Sequence, residues 1–462
     1  MNTLFLTLGR PNIARNLFTK DFWESLPAIA TQIKIVILIP TGCKIEYEAL
    51  YPAAPVQWQE VKPRFPSRAT TVITSLMRNA INSHTNLWSK MRSVERGDTS
   101  RVTTLFKRAY TATLGALPSW RRLLRALLIR YGTPTKEVAD LFDHYQPTLV
   151  FITGLTEYEF DVPLACEAKR RGIRLLGMTR SWDNFSSHGL TRVLPDTLIV
   201  QNIFLRDMAK QYQAINPDLP NIIVGTPHYD RYFGATGYLR PRETFFRELG
   251  LDPSKRIVLY AAMGDFMFPY ENSLADVFEG LVDSGAVPAD VQFVYRPHPK
   301  FLTNAERIRA MKHVRLDEQT SEAAGSINEE MKKWELTHLI HLLAYSDVVI
   351  NTASTMAIEG ALFDKPVICI GFDGTKKQAP YWLSAKRFFD CFTHFEDLVA
   401  TGSLPVAQTE TELARLINEA LEHPEKGQAG REKIKERFVA PFDGRASGRL
   451  MEVLKEEVRK AA

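Results

Sequence analysis

The sequence predicts an α/β protein built from two doubly wound parallel sheets. Short β-branched runs such as residues 34–39 (KIVILI) and 149–153 (LVFIT) have the continuous apolar character of strands that are buried on both faces. These runs alternate with helical segments through short loops, and the alternation occurs twice along the chain. A Gly-, Pro- and Arg-rich stretch around residues 234–244 separates the two series. We therefore expect Rossmann-like domains over 1–238 and 239–445, with a final helix over 446–462 as a candidate to cross back to the first domain.

The individual elements follow from the same patterns. In the first series, strands are predicted at residues 3–8, 34–39, 56–61, 149–153, 175–179, 197–201 and 222–224. In the second series, strands are predicted at residues 257–261, 292–295, 347–350 and 367–372. Residues 64–132 have helical patterning and no convincing strand, which predicts a helical insertion in the first domain.

The composition is that of an ordinary globular protein. Its 462 residues are 45% hydrophobic, which is ample for two cores. The four cysteines, Cys43, Cys166, Cys369 and Cys391, are far apart and show no metal-ligand spacing, which favours reduced thiols in the cytoplasm. The first residues have no charged segment before their short apolar run, so a signal peptide is not expected.

Positive charge is concentrated in the predicted insertion. The net charge is +5, but residues 64–130 hold thirteen Arg and Lys against Glu95 and Asp98. On a helical wheel, one arc of the segment 120–131 is apolar and holds Trp120, Leu123, Leu124, Leu127, Leu128 and Tyr131. The other arc is basic and holds Arg121, Arg122, Arg125 and Arg130. This pattern predicts peripheral contact of residues 64–131 with an anionic membrane or with an acidic partner. A helical insertion packed on its own domain with solvated arginines is the alternative. Nucleic acid is not expected as a partner, because no recognised binding module accompanies the charge.

Polar loops follow several of the predicted strands, and the carboxyl ends of parallel strands meet at one edge of a sheet. In the second series these loops are Ala262–Asp265, which contains Gly264, and the RPHP segment with Arg296 and His298. Two prolines stiffen RPHP and hold its Arg and His in an arrangement suited to an anion, although a simple rigid turn would have the same sequence. In the first series, Arg10 follows the first strand, and the SWDN segment follows the strand at 175–179.

The stretch 346–372 (SDVVINTASTMAIEGALFDKPVICIGF) predicts a strand, a polar turn, a helix and a second strand. Asn351, Thr352, Ser354 and Thr355 supply polar groups at the start of the helix, where phosphate oxygens bind well. Glu359 lies one turn further on the same face, where a carboxylate can accept both hydroxyls of a ribose. A βαβ unit with capping residues and a surface Glu359 is the alternative interpretation.

RPHP, the stretch 346–372 and FDGRAS near the end, together with SWDN and GTPHYDRYF, resemble the glycosyltransferases of the GT-B fold. Within that group, the chain is most similar over residues 149–450 to the CDP-glycerol glycerophosphotransferase-like enzymes that build surface polymers. The UDP-N-acetylglucosamine 2-epimerases share the C-terminal half of the pattern. The resemblance implies two Rossmann-like domains that face a cleft.

The resemblance also assigns roles to the donor-side residues. Arg296 and His298 are expected to meet the donor phosphates, Ser354 and Thr355 the diphosphate, and Glu359 the ribose. Gly264, Asp265, Asn351 and Thr352 complete the expected donor site.

On the acceptor side, Asp183 stands where the family has a His that serves as the base, and this departure favours a sugar donor. An Asx-turn is the alternative role for Asp183. His188 is the substitute base, Arg10, Trp182 and Asn184 are acceptor-side residues, and His228 and Asp230 are expected to order the interdomain region. No Asp-x-Asp sequence occurs, so we expect neither a metal nor a cofactor.

These expectations define a metal-independent, inverting transferase that moves a sugar from a nucleotide-activated donor to a hydroxyl. The acceptor is expected to be a cell-surface glycan or a lipid-linked molecule at the inner face of the cell membrane. Two alternatives remain open: polyol-phosphate transfer from a CDP-glycerol-type donor, and 2-epimerisation of a nucleotide sugar.

Overall fold

The computed structural model describes residues 2–52, 55–156, 160–301, 304–320, 326–333 and 336–461. The chain divides into two compact units. Unit 1 comprises Met1–Lys90, Thr99–Phe233 and Arg437–Ala462, and unit 2 comprises Met91–Asp98 and Gly234–Glu436. The division after Phe233 lies at the start of the Gly-, Pro- and Arg-rich stretch at residues 234–244.

Unit 1 is built on a seven-stranded parallel sheet with the order β3-β2-β1-β4-β5-β6-β7. Its strands are β1 (Thr3–Thr7), β2 (Lys34–Pro40), β3 (Val56–Val61), β4 (Leu149–Ile152), β5 (Arg174–Met178), β6 (Thr197–Val200) and β7 (Asn221–Ile223). The chain reverses its direction of strand addition between β1 and β4, which pair in register at Leu4 and Leu149. Ligands of doubly wound sheets bind at such a switch point.

Helices connect and cover these strands. The first eleven are α1 (Pro11–Leu17), α2 (Lys20–Ala30), α3 (Lys44–Leu50), α4 (Arg68–Arg78), α5 (His84–Glu95), α6 (Arg101–Ala112), α7 (Pro118–Tyr131), α8 (Lys136–Tyr145), α9 (Asp161–Arg170), α10 (Asn184–Ser187) and α11 (Ile203–Tyr212). Between β3 and β4, the described residues form helices α4 to α8 and no strand.

Unit 2 is built on a six-stranded parallel sheet with the order β10-β9-β8-β11-β12-β13. Its strands are β8 (Arg256–Ala261), β9 (Val291–Arg296), β10 (Val314–Leu316), β11 (Val348–Asn351), β12 (Val367–Ile370) and β13 (Val406–Ala407). The remaining helices are α12 (Arg242–Glu248), α13 (Leu274–Asp283), α14 (Ala305–Arg309), α15 (Ile327–Lys333), α16 (Leu336–Tyr345), α17 (Met356–Leu362), α18 (Lys386–Cys391), α19 (Thr393–Val399), α20 (Glu410–Glu422), α21 (Gln428–Ile434) and α22 (Ala446–Ala461), of which α22 lies in unit 1.

The predicted α/β class with two parallel sheets is confirmed. Each predicted strand is present with its ends within two residues, because buried parallel strands such as β1 and β4 carry no exposed residue to interrupt their apolar run. The sequence does not reveal β10 and β13. They are three and two residues long, too short for a periodic pattern, and both lie at edges of the sheet.

The C-terminal helix α22 is anchored to unit 1 by polar contacts at both ends. The carboxylate of Asp230 accepts hydrogen bonds from the backbone N–H groups of Ala446 and Ser447, at 2.9 and 2.8 Å. Further along, the buried carboxylate of Glu457 pairs with the guanidinium of Arg174. Asp230 therefore caps the helix that closes the first unit.

The orientation of α7 differs from the expected separation of an apolar and a basic arc. Arg121 and Arg125, predicted to lie on the basic arc, are buried together with Leu124 and Leu128. Arg125 donates hydrogen bonds to the carbonyl oxygens of Thr191 and Gln213 at 3.0 and 2.6 Å. A guanidinium offers five donors, so backbone carbonyl groups satisfy it inside the protein. The expectation that these two arginines are solvated or meet an anionic surface is wrong.

Candidate functional site

Three neighbouring strands of unit 2 present the polar loops that the sequence singles out. The order β9-β8-β11 places the loop after β8, the RPHP loop after β9 and the polar turn after β11 side by side at one edge of the sheet. Backbone and side-chain polar groups of three loops thus meet where a doubly wound sheet binds its ligand.

The loop after β8 is shaped around Gly264. This residue has φ +94°, and a Cβ atom there would lie 2.3 Å from Cδ2 of Phe301, so only glycine fits. The N–H groups of Met263 and Gly264 donate to the carboxylate of Glu271 at 2.6 and 2.5 Å. Asp265, the next residue, is exposed. The fixed turn therefore presents Asp265 at the edge of the sheet.

The carbonyl groups of the same loop accept hydrogen bonds from arginines. Phe266 O accepts from Arg92 and from Arg96, the latter at 3.3 Å, and both guanidinium groups lie over the Phe266 ring. Met267 O accepts from Arg387, which is fully buried. Burial lowers the pKa of Arg387 to about 9, with Arg92 contributing in the same direction. The sequence does not predict that Arg92 and Arg96 hold this loop, because both are more than 150 residues away from it in the chain.

Arg296 begins the RPHP loop, but its guanidinium points into the unit. It is 6% exposed and pairs with Asp317, which follows β10. Asp317 is also 3.0 Å from Nε2 of His338 on α16. Burial favours a raised pKa for Asp317, but Arg296 and His338 outweigh it and hold the pKa at about 2. Arg296 is thus held in place by a buried carboxylate that the sequence does not identify.

His298 is held as a neutral hydrogen-bond donor. Its Nδ1 accepts a hydrogen bond from the backbone N–H of Lys300 at 3.1 Å, which leaves the proton of the neutral ring on Nε2. Burial lowers the pKa of His298 to about 4, with smaller contributions from Lys300 and Arg296. Its ring packs on Phe301 with 4.7 Å between centroids. The loop therefore presents an N–H group instead of a charge.

The turn after β11 combines buried and accessible polar groups. Asn351 and Thr352 are fully buried, and Oδ1 of Asn351 accepts a hydrogen bond from the N–H of Ser354 at 3.0 Å. The hydroxyl of Ser354, in turn, accepts from the N–H of Met356 at 3.2 Å, so Ser354 satisfies the first N–H group of α17. Thr355 is partly exposed beside it. Glu359 lies in the first turn of α17 and is 8% exposed.

The SWDN loop of unit 1 follows β5 and begins α10. The carboxylate of Asp183 accepts hydrogen bonds from the hydroxyl of Ser187 at 2.9 Å and from the amide of Asn184 at 3.3 Å. Nε2 of His188 lies 3.8 Å from the same carboxylate. Asp183 and His188 flank the short helix α10 and are therefore neighbours.

Trp182 and Asn184 brace this loop. The Trp182 ring lies 6.1 Å from Phe204 and 5.9 Å from Phe438 between centroids. Asn184 is fully buried, and its Oδ1 accepts from the backbone N–H groups of Arg180 and Ser181 at 3.1 and 3.0 Å. These contacts fix the backbone that carries Asp183.

A cavity of about 800 Å³ opens in unit 1 where β1, β2 and β3 end. Its described lining includes one acidic residue, Asp161, and five basic residues: Arg10, Lys62, Arg64, Arg78 and Arg192. Arg192 is 2% exposed and donates to the carbonyl groups of His188 and Leu190 at 3.1 and 3.0 Å. An excess of positive charge in a concave, partly apolar site attracts anionic ligands. Of these five residues, the sequence singles out only Arg10.

One group in the described part of the chain has metal-ligand spacing: Glu279, Asp283 and His313. The backbone N–H groups of Lys312 and His313 donate to the carboxylate of Glu279 at 2.6 and 2.8 Å. His313 directly precedes β10, so the group lies at the edge of the sheet opposite the polar loops. These side chains are therefore remote from the candidate site.

Several solved structures share this architecture. UDP-N-acetylglucosamine 2-epimerase from Neisseria meningitidis, solved with UDP-N-acetylglucosamine, is 11% identical, with 99% of this chain and 100% of that chain covered and a TM-score of 0.53. The MnaA–UDP structure from S. aureus is 11% identical, with 99% and 97% covered and a TM-score of 0.54. A glycosyltransferase from Rickettsia africae is 12% identical, with 100% and 99% covered and a TM-score of 0.51. A search of curated proteins gives no match.

The two parallel sheets and the architecture shared with these structures show the GT-B fold. The family pattern of the CDP-glycerol:poly(glycerophosphate) glycerophosphotransferases matches residues 179–456, more than half of the chain. The protein belongs to this family, in agreement with the resemblance carried by its motifs.

Proposed function

We propose that the protein transfers a group from a nucleotide-activated donor to a hydroxyl of an acceptor that carries negative charge. The basic cavity of unit 1 is the observation that carries this proposal, because five cations face one carboxylate in its described lining. An acceptor with phosphate or carboxylate groups gains from such a field, whereas a neutral glycan does not. The glycan or lipid-linked acceptor expected from the sequence becomes, in this proposal, an anionic one.

The polar loops of unit 2 are the proposed donor site. The N–H of His298 and the accessible hydroxyls of Ser354 and Thr355 offer donors to the phosphates, and the Gly264 turn lets the backbone lie close to them. Glu359 is proposed to bind the ribose. Arg296 is proposed to add positive charge below the RPHP loop, where its guanidinium is paired with Asp317. This arrangement stabilises charge on the leaving nucleotide without a metal ion.

Family membership favours a CDP-activated polyol as the donor. The acceptor oxygen then forms a bond to the phosphorus of the polyol phosphate, CMP leaves with the electron pair of the broken P–O bond, and Asp183 takes the hydroxyl proton. A nucleotide sugar is the second candidate, because Asp183 replaces the His that the family resemblance leads one to expect. In that case the oxygen attacks the anomeric carbon with inversion and a nucleoside diphosphate leaves.

The helical region of unit 1 is proposed to contact an anionic membrane surface through α6 instead of the basic arc of α7. Val102, Leu105 and Phe106 on α6 are 64%, 65% and 72% exposed. Residues 99–136 contain no Asp or Glu, and Arg101 and Arg108 flank this apolar face. Exposed apolar side chains between cations match the headgroup region of anionic lipids. In the described part of the chain, no helix is long and apolar enough to cross a membrane.

Nucleotide binding separates the candidates. Thermal shift is measured with UDP, GDP, CDP, CMP and dTDP, and stabilisation by CDP and CMP is expected. Stabilisation by UDP, GDP or dTDP alone would select a sugar donor instead. Turnover of a nucleotide sugar without any acceptor would indicate an epimerase, and no response to any of the five would contradict the proposal.

A further inference from the structure

The buried carboxylate of Glu271 lies behind the proposed donor site of unit 2. Glu271 is 2% exposed and begins the 3-10 turn Glu271–Ser273 that leads into α13. Its Oε1 accepts hydrogen bonds from Tyr260 Oη at 2.7 Å and from the N–H of Met263 at 2.6 Å. Its Oε2 accepts from the N–H of Gly264 at 2.5 Å. Three donors converge on one carboxylate, as expected for an ionised acceptor.

Tyr260 extends this contact to the neighbouring strand. Its hydroxyl lies 3.4 Å from Oγ1 of Thr352, in the turn after β11, and both side chains are fully buried. Glu271 is thus joined directly to the turn after β8, and through Tyr260 to the turn after β11. Both turns belong to the proposed donor site.

We infer that Glu271 is a positioning residue that holds these two donor-binding turns, and that a proton taken up by its carboxylate weakens donor binding. The inference rests on the proposed donor site in unit 2. Charge-assisted hydrogen bonds from N–H groups to a carboxylate are stronger than those to a neutral acid, so the Gly264 turn is held less firmly by the protonated form.

Protonation also has a geometric consequence. A proton on Oε2 would point at the N–H of Gly264, which is also a donor, so that hydrogen bond would be lost. A proton on Oε1 can instead be donated to Tyr260 Oη, provided that the Tyr260 hydroxyl proton rotates away from Glu271. Thr352 Oγ1 is the acceptor within reach of the reversed hydroxyl. The direction of the Tyr260 hydrogen bond therefore changes with the protonation state of Glu271, and Thr352 accepts a hydrogen bond from Tyr260 only when Glu271 is protonated.

The surroundings of Glu271 bring this change near neutral pH. Burial raises the pKa of Glu271 to about 7, although the hydrogen bonds from Tyr260, Met263 and Gly264 oppose the rise. Among the residues that the structure describes, the titratable groups that face Glu271 are Tyr260, Asp265 and Tyr295, and none of these three carries positive charge. The ionised form of Glu271 is therefore stabilised by hydrogen bonds and not by a positive charge in this set.

E271Q tests the inference, because a glutamine accepts with one oxygen and must donate from its amide, as the protonated acid does. The dissociation constant of CDP is measured at pH 6 and pH 8 for both proteins. At pH 8 we expect E271Q to bind CDP about tenfold more weakly than the wild type, and at pH 6 we expect the two to agree within about twofold. Glu422→Gln, on the exposed end of α20, is the matched control and should follow the wild type at both pH values.

Amide exchange of residues 262–266 in the nucleotide-free protein reports the turn itself. After correction for the intrinsic effect of pH on exchange, the wild type should be better protected at pH 8 than at pH 6, and E271Q should not change. Equal CDP binding by wild type and E271Q at pH 8 would overturn the inference about Glu271 and leave the proposed function standing. A wild type that binds none of the five nucleotides would overturn the proposed function, and the role of Glu271 in donor binding with it.

Discussion

The guanidinium of Arg296 is paired with the carboxylate of Asp317 inside unit 2, where their side chains are 7% and 0% exposed. Asp317 also accepts a hydrogen bond from the partly exposed His338, so side chains from β9, the segment after β10 and α16 form one polar cluster. The first residue of RPHP is thus part of the core of the unit as well as of its proposed donor site.

Removal of the charge from Asp317 is expected to destabilise unit 2. Asp317→Asn leaves the Arg296 guanidinium buried without its counter-ion, which costs about 3–5 kcal/mol. Urea denaturation, monitored by a probe in unit 2, measures the loss. Asp290→Asn is the matched control, because Asp290 pairs with Arg256 at the surface and should cost less than about 1 kcal/mol. Equal effects of the two substitutions would contradict the assignment.

The same carboxylate should contribute to the acid sensitivity of the protein. Its pKa in the folded state is lowered from the ordinary value of 3.8 to about 2, so the stabilisation is complete above pH 4 and is lost as pH falls towards 2. The contribution is on the order of 2 kcal/mol. Melting temperatures measured between pH 2.5 and 5 should fall more steeply for the wild type than for Asp317→Asn. Parallel curves would show that Asp317 titrates normally.

Gly264→Ala should damage the donor site through the backbone. An alanine there is strained at φ +94° and its Cβ meets Phe301, so the turn must shift, at a cost of about 1–3 kcal/mol. Weaker nucleotide binding in a thermal-shift assay is the expected result. Gly280→Ala provides the control, since no atom lies within 4 Å of its added Cβ and it lies within α13. That variant should gain about 0.5–1 kcal/mol and bind nucleotide normally.

Charge changes in the basic cavity should alter acceptor binding and leave donor binding unchanged. Arg64→Gln removes one of the five cations and is expected to raise the acceptor KM by about tenfold, with a weaker dependence on salt concentration. CDP binding should stay unchanged. Lys20→Gln, a highly exposed cation of the same unit, serves as the control. If both variants keep the wild-type KM, the cavity is not the acceptor site.

The exposed face of α6 should determine membrane binding. Phe106→Asp places a carboxylate in the middle of the apolar face and is expected to reduce co-sedimentation with vesicles of phosphatidylcholine and phosphatidylglycerol by about tenfold. Ile45→Asp is matched to it, because Ile45 is 84% exposed on α3, outside the basic region. Equal co-sedimentation of the two variants, or of the wild type with pure phosphatidylcholine, would count against an anionic membrane.

Much of the candidate site follows from the sequence because polar loops after buried strands are visible as breaks in an apolar pattern. Gly264, His298 and the turn from Asn351 to Thr355 were found in this way, and the sheet order brings their loops together. The buried residues that hold these loops in place could not be predicted from the sequence. Glu271, Asp317 and His338 lie in segments with no such break, and only the fold carries them to the loops.

The sequence by itself determined the two parallel sheets, the positions of the long strands and the family, because local periodicity and contiguous motifs encode them. The tertiary structure decided which charges act at the surface and which are buried. Arg121 and Arg125 look like any basic helix face in the sequence, yet backbone carbonyl groups distant in the chain accept their hydrogen bonds. Partners so far apart in the chain leave no local sequence pattern. In the same way, the pKa of a buried group such as Glu271 depends on its burial and on every hydrogen-bond partner that the fold places around it.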